Sequence, residues 1–112
     1  MDRDFYKSEM DRVYKTVADS CIALQDKVGR YNEERINIYL ENEEKIKAVL
    51  AEVPSAEEIT KILADVGLDT SMFHEAYSEA KLQDAVHYAK ELKDRYTVLW
   101  MYYDMFGLEE LK

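Results

Sequence analysis

The chain has 112 residues, of which 47% are hydrophobic and 35% charged, and its 15 basic against 24 acidic side chains leave a net charge of −9. A chain of this length suits one domain whose core buries roughly two thirds of the unfolded surface, so residues 1–112 are expected to form a single helical domain. The composition excludes disorder, charges break every apolar run before the ~18 residues of a membrane helix, and the acidic excess repels nucleic-acid phosphates.

The amino end, MDRDFYKSEMDR, interleaves acids and bases where a secretion signal needs an apolar stretch. A cytoplasmic location is the expectation. The three glycines, Gly29, Gly67 and Gly107, and the one proline, Pro54, all fall where periodic segments end. That punctuation predicts an all-α fold, a small bundle of four or five main helices.

From Tyr6 the apolar residues Tyr6, Met10, Val13, Val17, Cys21, Leu24 and Val28 recur at steps of three and four, which predicts one helix ended by Gly29. The lone Cys21 lies on that face and is expected to be a buried, reduced thiol. After a connection at Arg30 and Tyr31, a second face runs through Ile36, Tyr39, Ile46, Leu50 and Val53, with Glu43 interrupting it. The two long helices are expected to fold back antiparallel.

Pro54 blocks continuation, and Ser55 with Glu58 three residues later forms a capping-box pattern. A short third helix therefore starts there, carries Ile59, Ile62, Leu63 and Val66, and ends at Gly67 in the left-handed region. Residues 69–77 predict a turn or one helical turn, with Met72 and Phe73 as apolar plugs. Ser78 is then expected to cap a fourth helix whose face is Leu82, Ala85, Val86, Ala89 and Leu92. Asp94 and Thr97 can both cap, so a break near Arg95 and Tyr96 is expected before a last helix with the stripe Val98, Leu99, Tyr102, Met105 and Phe106. Trp100 and Tyr103 would lie on its flanks.

Chemistry is harder to find. Asp84 and His87 stand at the i, i+3 spacing of di-metal carboxylate bundles, but no second copy of the motif occurs, and His74 and His87 form no H-E-x-x-H pattern. No metal, catalytic or cofactor-binding residue is therefore assigned. Isolated glycines cradle no phosphate, and the acidic run Glu41 to Lys45 reads as a solvated helix face. The tyrosines suit a domain edge, where a ring is buried and its hydroxyl stays wet.

The order of motifs is more informative than any one of them. EMDRVYKTVADSCIALQDKVGRYNEERI, then ENEEKIKAVLAEVPSAEEITKILADVG, then AVHYAKELKDRYTVLWMYYDMFGL resembles the C-terminal helical region of sn-glycerol-1-phosphate dehydrogenases, in the iron-containing alcohol dehydrogenase superfamily. The resemblance runs from about Glu9 to Leu108, and its most specific parts are Val53-Pro54-Ser55 and Asp94-Arg95-Tyr96-Thr97. It implies NAD(P)-dependent, metal-assisted reduction of dihydroxyacetone phosphate by the full-length family. The family's nucleotide loop and its metal ligands, an aspartate and two histidines, precede the matched region, and here His74 is followed by Glu75 and His87 by Tyr88.

Only Arg95, Tyr96 and Thr97 carry over, as a fixed connection between the last two helices. The resemblance thus implies a C-terminal scaffold with no cofactor of its own, inactive when isolated. Its expected partner is the nucleotide- and metal-binding part of a parent protein, or a second copy in a weak homodimer, with no nucleic acid and no membrane. A stand-alone acidic helical module that binds another protein is the alternative.

Overall fold

A computed structural model describes residues 1–107, so the Leu108 end of the family resemblance lies outside the described residues. Every regular element among them is helical: α1 (Arg3–Tyr14), α2 (Ala18–Lys27), α3 (Arg35–Glu41), α4 (Glu43–Leu50), α5 (Ala56–Asp65), α6 (Ser71–Ala76), α7 (Glu79–Tyr88) and α8 (Val98–Phe106), with 3-10 turns at Lys15–Val17 and Ala89–Leu92. The all-α expectation holds. The helices are shorter and more numerous than the four or five expected, because both long helices are interrupted.

The first interruption is at Lys15, a non-glycine residue at φ 51°. Rather than continuing to Val28, the chain turns back there, and α2 packs antiparallel on α1. Two exposed ion pairs record the pairing: Arg3 with Asp26 at 2.7 Å and Lys7 with Asp19 at 2.9 Å. Periodicity alone could not place this turn, because steps of three and four continue through it. Val17, on the expected face, is 49% exposed, while Gln25 is fully buried in its stead. The second interruption is at Asn42, whose side-chain amide donates to the Ile38 carbonyl at 2.9 Å.

The caps follow the sequence closely. Asp2 accepts from the Asp4 and Phe5 amides at the start of α1, and Ser55 and Glu58 form both arms of the capping box at 3.1 and 2.7 Å. Gly29 and Gly67 have φ of 66° and 85° and close α2 and α5 with the paired 6→1 and 5→2 backbone bonds of a Schellman ending. A Cβ at Gly29 would meet nothing within 4 Å, so Gly29→Ala should lose stability through backbone conformation alone, by about 1–2 kcal/mol. Urea unfolding of the two proteins checks this. The break before α8 is present, and Thr97 is its N-cap residue, yet no side-chain capping bond forms there. Neither Thr97 nor Asp94 fills the capping role expected of it.

The described residues divide into two compact units, one of residues 1–35 with 83–107 and one of residues 36–82. In the first, Tyr6, Met10, Ala18, Cys21 and Tyr88 form a buried core, with Val13, Tyr14, Ile22 and Tyr31 packed against it. Cys21 is a buried free thiol, as expected, and burial pushes its pKa up. In the second, no residue is buried. Among the described residues the backbones approach most closely between α1, α2 and the two 3-10 turns.

Two expected faces are turned. Val98, Met105 and Phe106 of α8 are exposed, whereas Trp100 is fully buried. An α8 that is apolar nearly all round gives periodicity no side to choose, and the ring cluster decides: Tyr31 meets Trp100 and Tyr103 edge-on, each at 5.3 Å. Towards the end of α7, Val86 and Leu92 are likewise exposed. The 3-10 turn Ala89–Leu92 changes the angle per residue and brings Lys90 and Glu91 inward instead.

Candidate functional site

The most organised polar cluster is built on that turn. Glu91 is fully buried, and Lys90 beside it is 4% exposed. Charged side chains enter a core only when paired and hydrogen-bonded, and here the donors converge from three segments. Tyr6 of α1 donates to Glu91 Oε2 at 3.0 Å, Tyr31 after α2 donates to Oε1, and Lys90 Nζ donates to Oε1 at 2.9 Å. Gln25 of α2 donates from Nε2 to the carbonyls of Glu91 and Lys93 at 2.7 and 3.0 Å.

The Lys90 ammonium also donates to the His87 carbonyl at 2.7 Å. It sits 4.9 Å from the Tyr103 ring centroid, 5.0 Å from that of Trp100 and 5.7 Å from that of Tyr88. Aromatic faces attract a cation more strongly once water is removed. Desolvation is nevertheless the largest influence on Lys90 and lowers its pKa from the ordinary lysine value, with Glu91 opposing it. Burial, followed by the Glu91 charge, raises Tyr6 and Tyr31. The Glu91 carboxylate thus collects three donors and the Lys90 ammonium is enclosed by rings, an arrangement suited to clamping segments together.

Two further ion pairs tie the same unit. Arg12 of α1 holds Asp84 of α7 bidentately at 2.8 and 2.7 Å and also grips Glu9, and the Tyr88 hydroxyl donates to Glu9 at 2.8 Å. Arg35, the first residue of α3, pairs with Asp104 of α8 at 2.5 and 2.9 Å. Both partners of that second pair are largely buried, and the Arg35 guanidinium lies 5.6 Å from the Trp100 ring.

Asp84 therefore faces Arg12, whose hydrogen bonds hold its carboxyl below the usual range. Its i, i+3 partner His87 stands edge-on to Tyr88 at 5.9 Å, with Nε2 buried and unpartnered among the described residues. Burial lowers its pKa, with Lys90 adding to the shift. His74 is on the other unit, exposed, 3.7 Å from Glu79. No group of three potential metal-ligating side chains occurs among the described residues. A shallow depression beside Lys90, lined by Val86, His87, Leu99, Tyr102 and Tyr103, has room for about one water molecule.

Arg95, Tyr96 and Thr97 form the non-helical link into α8, with Thr97 extended. Tyr96 is packed beneath two guanidinium groups, those of Arg30 at 5.6 Å and Arg35 at 5.9 Å. This connection is thus pinned to the end of α2 and the start of α3. The sequence reading missed Lys90 and Glu91, since neighbouring opposite charges within AKELKD match a solvated face and their partners Tyr6 and Tyr31 lie 85 and 60 positions away. No helix is long and apolar enough to cross a membrane among the described residues. No family model, curated protein or solved structure matches this chain.

Proposed function

We propose that the chain is a docking scaffold, the C-terminal helical part of a protein similar to NAD(P)-dependent sn-glycerol-1-phosphate dehydrogenases, contributing shape and none of the chemistry. One observation carries the docking part. Thirteen large apolar side chains between Ile36 and Leu82 are 40–70% exposed, and none in that unit is buried. Single exposed apolar residues are ordinary, but a whole unit of amphipathic helices without a buried residue is built to be covered. The dehydrogenase part rests on the order of motifs alone.

Without its parent, the purified chain should cover part of that surface with a second copy. Burial of apolar area favours association at roughly 25 cal/mol per Å² before association entropy is subtracted. The net charge of −9 opposes it, so the dimer should tighten as salt screens the repulsion. Sedimentation across concentration and ionic strength measures this. A strict monomer at high concentration and moderate salt would contradict the scaffold reading and favour a self-sufficient module.

A further inference from the structure

The exposed unit is also where the charge is. Residues 36–82 hold ten carboxylates against four lysines and no arginine, which is six of the nine excess negative charges of the chain. One of those lysines, Lys47, is already shared between Glu43 and Glu44, at 2.5 and 3.5 Å.

Two helices in this unit carry apolar stripes at the i, i+3, i+4, i+7 spacing of a helix-packing face. On α4 and the turn that follows it the stripe is Ile46, Val49, Leu50 and Val53, with the last three 47–66% exposed. On α5 and its C-cap it is Ile59, Ile62, Leu63 and Val66, of which Leu63 alone is partly covered and Val66 is 70% exposed. Acids lie along one edge of each stripe: Glu52 shares its edge of the first with Lys45, and Glu58 and Asp65 lie along one edge of the second. Neither stripe contains a buried residue.

Resting on the scaffold reading above, we infer that the α4 and α5 stripes receive a basic amphipathic helix, with an apolar stripe of its own bordered by lysine or arginine. An apolar face selects any amphipathic helix, but the acidic rails select its sign. An acidic helix is repelled opposite Glu58 and Asp65 and by the six excess negative charges of the unit, while lysine or arginine gains attraction at that rim and in long-range approach. A second copy of this chain presents the same acidic rails and is a poor occupant, so self-association and this docking event have opposite salt dependence.

The probes are two synthetic peptides of about 18 residues, roughly five helical turns. Both place leucines on one stripe, and the remaining positions are lysine in one and glutamate in the other. Fluorescence anisotropy of labelled peptide against the full chain should show the lysine peptide binding at least about tenfold tighter than the glutamate peptide, and weakening as salt rises. Val53→Asn together with Ile62→Asn, both at exposed positions and neutral in charge, should cost the lysine peptide about tenfold in affinity while circular dichroism shows unchanged helix content. Val28→Asn, exposed on the other unit, should leave binding as it was.

Equal binding of the two peptides would overturn the charge selection. Undiminished binding by the Val53→Asn, Ile62→Asn protein, or loss matched by Val28→Asn, would show a diffuse acidic surface in place of these stripes. No binding of either peptide overturns the inference outright. A strict monomer that binds the lysine peptide removes the self-association argument and keeps this one; a salt-tightened dimer that ignores the peptide does the reverse.

Discussion

Lys90→Met should lower the stability of the folded chain by about 3–5 kcal/mol, the usual cost of leaving one partner of a buried ion pair alone. The Lys90 side chain is 1% exposed and that of Glu91 is fully buried, so no water reaches the carboxylate that the substitution strands. Tyr6 and Tyr31 still donate to it, but the compensating charge and the contacts of the ammonium with Tyr88, Trp100 and Tyr103 are lost. A domain of this size is commonly stable by only about 5–15 kcal/mol, so the variant should be near unfolding. Lys90→Met combined with Glu91→Gln removes both charges and should regain a large share of the loss, because a neutral amide is far cheaper to bury than an unpaired carboxylate. Urea unfolding of both proteins is the measurement. A loss below about 1 kcal/mol for the single variant, as at an exposed pair, would mean that Lys90 and Glu91 do not clamp the unit.

Alkaline pH should unfold the chain cooperatively, beginning near pH 10. Burial raises five tyrosine hydroxyls above their ordinary value: Tyr14 to about 12, and Tyr6, Tyr31, Tyr88 and Tyr103 upward as well. The unfolded chain releases those phenolic protons near pH 10, while the folded chain retains them. Their contribution is therefore complete below pH 10 and is lost as pH rises from there through the folded values. Lys90 has the opposite sign. Its folded pKa is depressed, so the unfolded chain binds the extra proton and this contribution grows with pH until the ordinary lysine value near 10.5, where it stops. One group rising against five falling leaves a net loss. Helicity and tyrosinate absorbance, followed together from pH 8 upward, should change at one midpoint. Tyrosinate appearing gradually near pH 10 with full helicity retained would show that these hydroxyls are not held by the fold.

Local chemistry was readable from the sequence where a single residue type has one physical use. Gly29 and Gly67 take positive φ, Ser55 and Glu58 close the capping box, Cys21 is buried, and the chain breaks before α8. Legibility ended where tertiary contacts choose between equivalent patterns. Apolar spacing runs unbroken through Lys15, so only the packing of α2 on α1 reveals the turn. On α8, Trp100 and Tyr103 go inward because Tyr31 and the Arg35–Asp104 pair meet them there. Lys90 and Glu91 were hidden for a related reason: burying a charge requires partners, and these come from segments remote in sequence. The Asp84 and His87 spacing had a local signature, but Arg12 takes the aspartate.

Residues 1–35 with 83–107 hold a closed core, whereas residues 36–82 bury no side chain, and the proposed scaffold role requires that second unit to be covered by a partner. Native-state hydrogen exchange on the isolated, monomeric chain at low concentration separates the two directly, because protection reports the free energy of opening each segment. Amides of α1, α2 and the segment around Lys90 should exchange only through near-global unfolding, while those of α4 and α5 should exchange at least about 100-fold faster. Protection in α4 and α5 equal to that in α1 and α2 would contradict this division.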